Sequence, residues 1–415
     1  MAHTPSPEPR RAPLVALITT SPLALWAFFV TQARQLRAAG FAIEAVSAPG
    51  DKLEEFRRLT GVPAHGVRFE RRMHPLADLR ALWSLWNLLR WRRPAIVHTH
   101  TPKAGLIGMI AAALLKIPVR IYTVNGLVLE TRLGLARWVL VTTERLACRL
   151  ATQVLCVSPS LARRMSELEL CPPAKLRVLG SGASHGVDLA QFDPSAPWAD
   201  GGRVRRRYGI PPDALVVGFA GRIVRDKGIE ELAAAWINLR EEFTSLHLLL
   251  CGVFESNDAI RTDTRALLSS DDRVHLTGGM ISDMPSAYAA MDVVVLPSWR
   301  EGLPNVALEA AAMKLPIVAT RATGCVDAVA DGVTGLLTTP GDAGELAQAI
   351  RALLEDPDRR QRMGEAGRRF VGERFSEREV TARLAAEYWR LLGHPSPRTH
   401  VEKAEEYAGA AEANV

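Results

Sequence analysis

Glu301 and Glu309, with seven residues between them, lie in EGLPNVALEAAAMKLP, two residues after the apolar run DVVVLPS. The order reads as the end of a strand, a glycine-containing turn and the start of a helix. In α/β domains a nucleotide-linked ligand sits at such a place, because the first N–H groups of a helix are free to hold a phosphate. Glu301 would face that ligand from the turn, and Glu309 would reach a pair of hydroxyls from the helix. The implied ligand is a sugar nucleotide.

About 75 residues earlier stands GFAGRIVRDKG. Gly218 and Gly221 permit close backbone approach to a ligand. Arg222 and Lys227 supply two cations at the end of a strand. A departing nucleoside diphosphate needs paired positive charge and helix N–H groups of this kind. The chain has no Walker glycine–lysine motif, and no GxGxxG follows its first strand. The basic loop and the two glutamates together say more than either alone.

These residues need a scaffold, and the chain alternates strand and helix signals throughout. LVALITT, FAIEAVSA, AIVHTH, VRIYTVNG, TQVLCVSPS and KLRVLGSG read as strands, with helices between, including one over residues 24–39. A second series starts at LVVGFAGRIVRDKG. The implied class is α/β, two facing doubly wound Rossmann-like domains with a cleft between them. The expected boundaries are 12–190 for the first domain, 191–213 for a linker and 214–375 for the second domain. A helix at 376–392 is expected to pack back toward the first domain, and the polar tail 393–415 to be disordered.

Composition limits the alternatives. Hydrophobic residues make up 48% of the 415 and charged residues 23%, which excludes a disordered chain. Five scattered cysteines read as buried thiols of a reducing compartment. No apolar span reaches about 18 residues, so no membrane-spanning helix is expected, and MAHTPSPEPRRAP does not read as a signal peptide. The formal charge of +6 has a location: Arg68, Arg71, Arg72, Arg80, Arg90, Arg92 and Arg93 surround ALWSLWNLLRW, with Trp83, Trp86 and Trp91. Two readings stand, a face that lies on a membrane or an ordinary packed helix with a solvated edge. Nucleic acid is not an expected partner, because no basic–aromatic platform accompanies the charge.

EGLPNVALEA and GRIVRDKG resemble the retaining glycosyltransferases of the GT-B architecture, in the large group called family 4, over roughly residues 12 to 392. The resemblance implies that Glu301 contacts the donor sugar near its reactive face and that Glu309 holds the ribose diol. It places Arg222, Lys227 and Gly221 at the donor diphosphate, lined by the backbone of Gly302, Leu303, Pro304 and Asn305. Pro304 has no N–H to give. The reaction implied retains the anomeric configuration, with attack on the face that the diphosphate leaves and no metal or other cofactor required. HTHTPKAGLIG, YTVNGLVLE, ERLACRLATQVLCVSPSL and GSGASHGVDLAQF resemble bacterial enzymes of capsule, O-antigen and glycoprotein glycan assembly. These transfer a hexose or N-acetylhexosamine, here from a UDP-linked donor, to a polyprenyl-diphosphate-linked sugar. The implied location is cytoplasmic, peripheral on the inner face of the bacterial membrane.

In that subgroup the histidine matching His100 lies by donor sugar and acceptor. His98 is the alternative, and His100 is preferred as the last strand residue, on the expectation that alternating faces point only one set of residues into the cleft. Thr20 and Ser21 stand where relatives often carry a glycine pair, and can serve the donor phosphate through hydroxyl or backbone. Asn125 stands where histidine is common. It can bond an acceptor hydroxyl but does not titrate near neutrality. Lys103 is placed as a contact to an acceptor phosphate or as a solvated helix-start lysine. His185, Asp188 and Glu130 read as structural, Ser158 as a helix cap, and Asp271–Asp272 as a solvated turn. His275 is a candidate neighbour of the nucleobase. Two alternatives remain, a nucleotide-sugar epimerase and a non-catalytic sugar-nucleotide-binding protein.

Overall fold

The computed structural model describes residues 12–70, 74–256, 258–279 and 283–394. The first sheet holds β1 (Leu14–Ile18), β2 (Ala42–Ser47), β3 (Ala64–Gly66), β4 (Ile96–His100), β5 (Val119–Val124), β6 (Gln153–Cys156) and β7 (Leu176–Arg177), in the order 3-2-1-4-5-6-7. The second holds β8 (Leu215–Ala220), β9 (Leu246–Cys251), β10 (Val274–Leu276), β11 (Val293–Leu296), β12 (Ile317–Thr320) and β13 (Gly335–Thr338), in the order 10-9-8-11-12-13. Every strand pair is parallel.

The helices of the first half are α1 (Pro22–Phe28), α2 (Val30–Ala38), α3 (Asp51–Thr60), α4 (Pro75–Arg92), α5 (Pro102–Leu114), α6 (Gly134–Leu150) and α7 (Pro159–Glu167). Then come α8 (Gly201–Tyr208), α9 (Ile229–Glu242), α10 (Thr262–Ser270), α11 (Met284–Ala289), α12 (Asn305–Ala312), α13 (Cys325–Ala328), α14 (Ala343–Leu354), α15 (Pro357–Arg374) and α16 (Glu377–Leu391). Both halves are doubly wound, as the alternation predicts. The strands are apolar on both faces because helices cover both. Along β1, Val15 and Leu17 join one core with Leu25 and Phe56, while Ala16 and Ile18 join another with Leu85 and Met109.

Four elements depart from the sequence reading. The helix expected over 24–39 is broken at Phe29, whose φ of −117° lies outside the helical range and whose ring packs 4.6 Å from that of His100. The short strand β3 and its helix α3 were not anticipated, nor was α15, whose polar, arginine-rich sequence hides its few buried positions.

The chain crosses between the halves twice, and the crossings touch. Val187 N–H donates to Phe375 O (2.8 Å), and Glu377 N–H donates to Val187 O (2.9 Å). After the second crossing α16 returns to the first half. Leu384, Ala385 and Tyr388 enter the same core as Val15 and Leu17, each large apolar side chain contributing about 1.5–3 kcal/mol. The Tyr388 hydroxyl lies 2.6 Å from His98 Nδ1, and Trp389 Nε1 donates to Ala39 O at 3.3 Å.

Glu144 is a buried acid outside the cleft whose carboxyl pairs with no cation among the described residues. It is 6% exposed and accepts a 2.9 Å bond from the Tyr122 hydroxyl. Burial pushes its pKa up to about 7, against the smaller opposing effect of that bond. The folded state therefore favours the neutral acid. The stability this confers is complete below the unfolded pKa and is lost as pH rises through about 7. Glu144→Gln keeps an acceptor for Tyr122 and carries no charge. Denaturant unfolding should show the variant more stable than the parent by on the order of 2 kcal/mol at pH 8 and nearly equal to it at pH 5.

Candidate active site

The turn after β11 brings the two motifs together. Trp299 N–H donates to Asp226 O (3.0 Å), Arg300 Nη2 reaches Asp226 Oδ2 (2.5 Å), and Lys227 Nζ reaches Glu301 Oε1 (2.5 Å). Three successive residues of the glutamate turn are thus tied to the basic loop. Gly228 makes this possible, since it has φ +69° and a Cβ there would lie 1.9 Å from Pro297 O. Ser298 Oγ gives Glu301 Oε1 a second bond of 2.8 Å.

Pro304 occupies the cap position of α12, and no side chain caps the helix. The N–H groups of Gly302, Leu303 and Asn305 make no hydrogen bond among the described residues. They lie at a helix start beside Lys227, a combination that attracts phosphate. The Asn305 side chain is held by His185 Nε2 at 2.8 Å. Arg222 stands apart from the Lys227–Glu301 pair. Its exposed guanidinium lies 3.5 Å from Glu255.

Glu309 accepts a 2.9 Å bond from the Tyr288 hydroxyl. The residue is half-buried, with its carboxyl set in the wall of a cavity of about 150 Å³ shared with Phe28, Thr31, His185, Asp188 and Glu377. Burial pushes its pKa up to about 7, and the Tyr288 bond opposes the shift. Burial and the charge of Asp188 push Glu377 up to about 7 as well. Burial lowers His185 to about 4.

The two histidines of β4 are two residues apart and therefore share a face, with ring centroids 4.2 Å apart. Strand alternation does not separate them, which corrects the sequence argument. Their partners do. His98 is bonded on both nitrogens, to the Tyr388 hydroxyl and to Thr123 Oγ1, each at 2.6 Å, and burial lowers its pKa to about 3. It pins α16. His100 is 2% exposed, and both its ring nitrogens lack a partner among the described residues. Burial, with the neighbouring His98 and His185, holds its pKa well below the usual range. Its imidazole is neutral, able to donate and accept but unable to serve as a stored acid. Thr101, which follows it, has φ +75°, a strained value for a β-branched residue.

The remaining predicted residues are dispersed around the cleft. Thr20 Oγ1 lies 3.2 Å from Thr101 Oγ1, and Ser21 caps α1 through Ala24 N–H at 3.3 Å. Lys103 donates to Asp78 at 2.8 Å. The Asn125–Gly126 turn abuts Gly302, where a Cβ would lie 2.0 Å from Asn125 O. Gly221 donates its N–H to Cys251 O at 2.9 Å. Asp271 is not a solvated turn: its side chain is buried, bonded to Trp236 Nε1 (2.9 Å) and Arg240 (2.6 Å). His275, opposite Leu249 in the β9–β10 register, pairs with His247 at 2.9 Å. No group of three metal-ligating side chains occurs among the described residues.

The aromatic–basic face also changes. Trp83 and Trp91 are exposed, but Trp86 packs against the core and Arg92 pairs with Glu44. Arg71 and Arg72 lie outside the described residues. Sequence reasoning missed a second exposed apolar group, Leu133, Leu135 and Trp138, which are 87, 76 and 64% exposed. It follows an irregular stretch without helical period, so no pattern marked it. No helix among the described residues is long and apolar enough to cross a membrane.

The family model described as "Glycosyl transferase 4-like domain" matches residues 25–182, and that described as "Glycosyl transferases group 1" matches 214–356. A capsular polysaccharide biosynthesis glycosyltransferase, CapM of Staphylococcus aureus, is 34% identical over 358 residues, covering 86% of this chain and 92% of that protein. Among solved structures, sucrose-phosphate synthase of Thermosynechococcus elongatus superposes with a TM-score of 0.76 at 22% identity, covering 92% of this chain and 99% of that one. Anabaena HepE in complex with UDP-glucose gives 0.75 at 20%, covering 91% and 99%. The two structures share the arrangement of two Rossmann-like domains around a cleft. With both halves matched, and with a relative at 34% identity spanned almost completely, the chain belongs to the family 4 glycosyltransferases of GT-B fold, enzymes that take their sugar from a nucleotide-sugar donor.

Proposed function

We propose that the chain transfers a hexose or N-acetylhexosamine from a UDP-linked donor to a polyprenyl-diphosphate-linked sugar, with retention, at the inner face of a bacterial cytoplasmic membrane. The observation that carries the lipid-linked acceptor is the pair of exposed apolar groups, Leu76, Leu79 and Trp83 on α4 and Leu133, Leu135 and Trp138 at the start of α6. Both helices pack against α5. Each follows a parallel strand and so begins on the side of the sheet where the strands end, beside the cleft. Arg80, Arg132 and Arg137 among them suit anionic headgroups. The CapM relative, named for capsular polysaccharide biosynthesis, supports a surface-glycan product, and HepE, which holds UDP-glucose, supports uridine.

In this reading residues 12–190 form the acceptor-side domain and 214–375 the donor domain, joined by 191–213, with 376–392 returning to the first. Glu309 holds the ribose diol. Lys227, Arg222 and the N–H groups of Gly302, Leu303 and Asn305 hold the diphosphate, with Gly221, Thr20 and Ser21 near it. Glu301 and His100 hold the donor sugar, and Lys103 and Asn125 face the acceptor. The bond from the anomeric carbon to the diphosphate oxygen breaks, and the bond to the acceptor oxygen forms on the same face. The acceptor proton passes to the departing diphosphate, whose charge Lys227 and the helix start stabilise.

Purified enzyme, a panel of UDP-sugars and a bacterial membrane extract provide the test. Mass spectrometry should find a lipid heavier by one sugar, and NMR should find the donor's anomeric configuration preserved. Epimerised nucleotide sugar formed without acceptor, or an inverted linkage, would overturn the reading. Glu309→Gln should weaken UDP binding about tenfold, close to 1.4 kcal/mol, as read by titration calorimetry; an unchanged Kd sinks the ribose role.

A further inference from the structure

Between the two domains, hydrogen bonds collect behind the glutamate turn. Ser158, at the end of β6, caps α7 by accepting from Leu161 N–H (3.3 Å) and donates its hydroxyl to Gly302 O at 2.7 Å. Ser160, two residues further on, donates its N–H to Asp327 Oδ2 at 3.0 Å and its hydroxyl to the same oxygen. Ser160 Oγ accepts from Gly324 N–H at 2.7 Å. Asp327 belongs to α13 of the other domain. Its carboxylate thus sits on the N-terminus of a helix across the cleft, where the helix dipole favours it.

Gly302 is wedged at the centre of this contact. A Cβ on it would lie 2.0 Å from Asn125 O, and a Cβ on Gly324 would lie 2.3 Å from Gly302 O. Glycine does not restrain its own peptide, so the orientation of the peptide joining Gly302 to Leu303 must come from outside. In a trans peptide the C=O and the following N–H point in opposite directions. Whatever holds Gly302 O therefore also aims Leu303 N–H.

We propose that Ser158, Ser160 and Asp327 are positioning residues for transfer: they clasp α7 to the Gly302–Gly324 contact and aim the Leu303 N–H at the donor diphosphate. The proposal rests on the reading of that N–H as a phosphate donor given above. It also links domain closure to chemistry. The clasp exists only with the domains together, so the peptide after Glu301 is aimed only when the acceptor domain is in place. A donor bound to an open cleft meets an unaimed peptide, which limits its loss to water.

Asp327 is the residue to change, because Ser158 also caps α7 and its loss would weaken that helix directly. Asp327→Ala should lower kcat at least about tenfold, leave the donor KM within about threefold and change the melting temperature little. Asp327→Asn retains an oxygen that accepts both Ser160 bonds and should recover most of the loss. In the protein without substrate, hydrogen exchange over residues 300–306 should quicken in the alanine variant and not in the asparagine variant. Unchanged kcat in Asp327→Ala, an asparagine variant as poor as the alanine one, or a loss confined to KM would overturn the clasp. Should the parent itself transfer no sugar, the donor reading fails, while the exchange measurement still decides whether the clasp orders the turn.

Discussion

Glu301→Gln is expected to reduce sugar transfer about a thousandfold, almost entirely in kcat. The amide is isosteric and keeps the bond from Ser298 Oγ. It loses the charge that pairs with Lys227. In the proposed reaction that charge faces the donor sugar as positive character builds at its anomeric carbon, so the loss falls on the transition state rather than on the bound donor. Initial rates with a labelled donor give the result directly. A variant retaining a tenth of the parent rate would remove Glu301 from the chemistry.

Lys227→Met is expected to cost about a hundred- to a thousandfold in kcat/KM. It removes the cation paired with Glu301 and leaves that carboxylate in a half-buried turn without this partner. The two losses share one cause and should not add. The double variant should be no worse than Glu301→Gln alone by more than a few-fold, giving a coupling energy of about 2–3 kcal/mol in the cycle. Full additivity would mean that the 2.5 Å pair has no part in transfer. A donor whose leaving group is a stronger acid than UDP should suffer less from Lys227→Met, because less charge then needs stabilising.

The parts legible from sequence were those carried by local pattern. Apolar runs alternating with amphipathic ones disclosed two doubly wound domains, and strand, glycine turn and helix start placed Glu301 and Glu309 where they stand. Elements with weak local pattern were lost: β3 has only three residues, and α15 buries little of a polar surface. The reason for preferring His100 to His98 did not hold. Period two puts both on one face, and what distinguishes them is Tyr388, 290 positions away from His98. The clasp was illegible for the same cause. Ser158 could be read as a cap, but its second bond reaches a residue 144 positions away, and Ser160 finds Asp327 at a separation of 167. Serines at a helix start are common, and nothing local marks one whose hydroxyl is shared with another domain.

The return of α16 to the first core has a consequence for synthesis. Domains usually finish folding in the order in which they leave the ribosome. Here the first sheet lacks Leu384, Ala385 and Tyr388, and His98 lacks one of its two bonds, until the last helix has been made. The second domain holds its sheet and helices before that point. The half translated first is therefore completed last, and a nascent chain stopped near residue 375 would carry a finished second domain behind a first domain with an open flank. Stop codons in the final stretch should thus expose the front of the protein, not its end, to proteases.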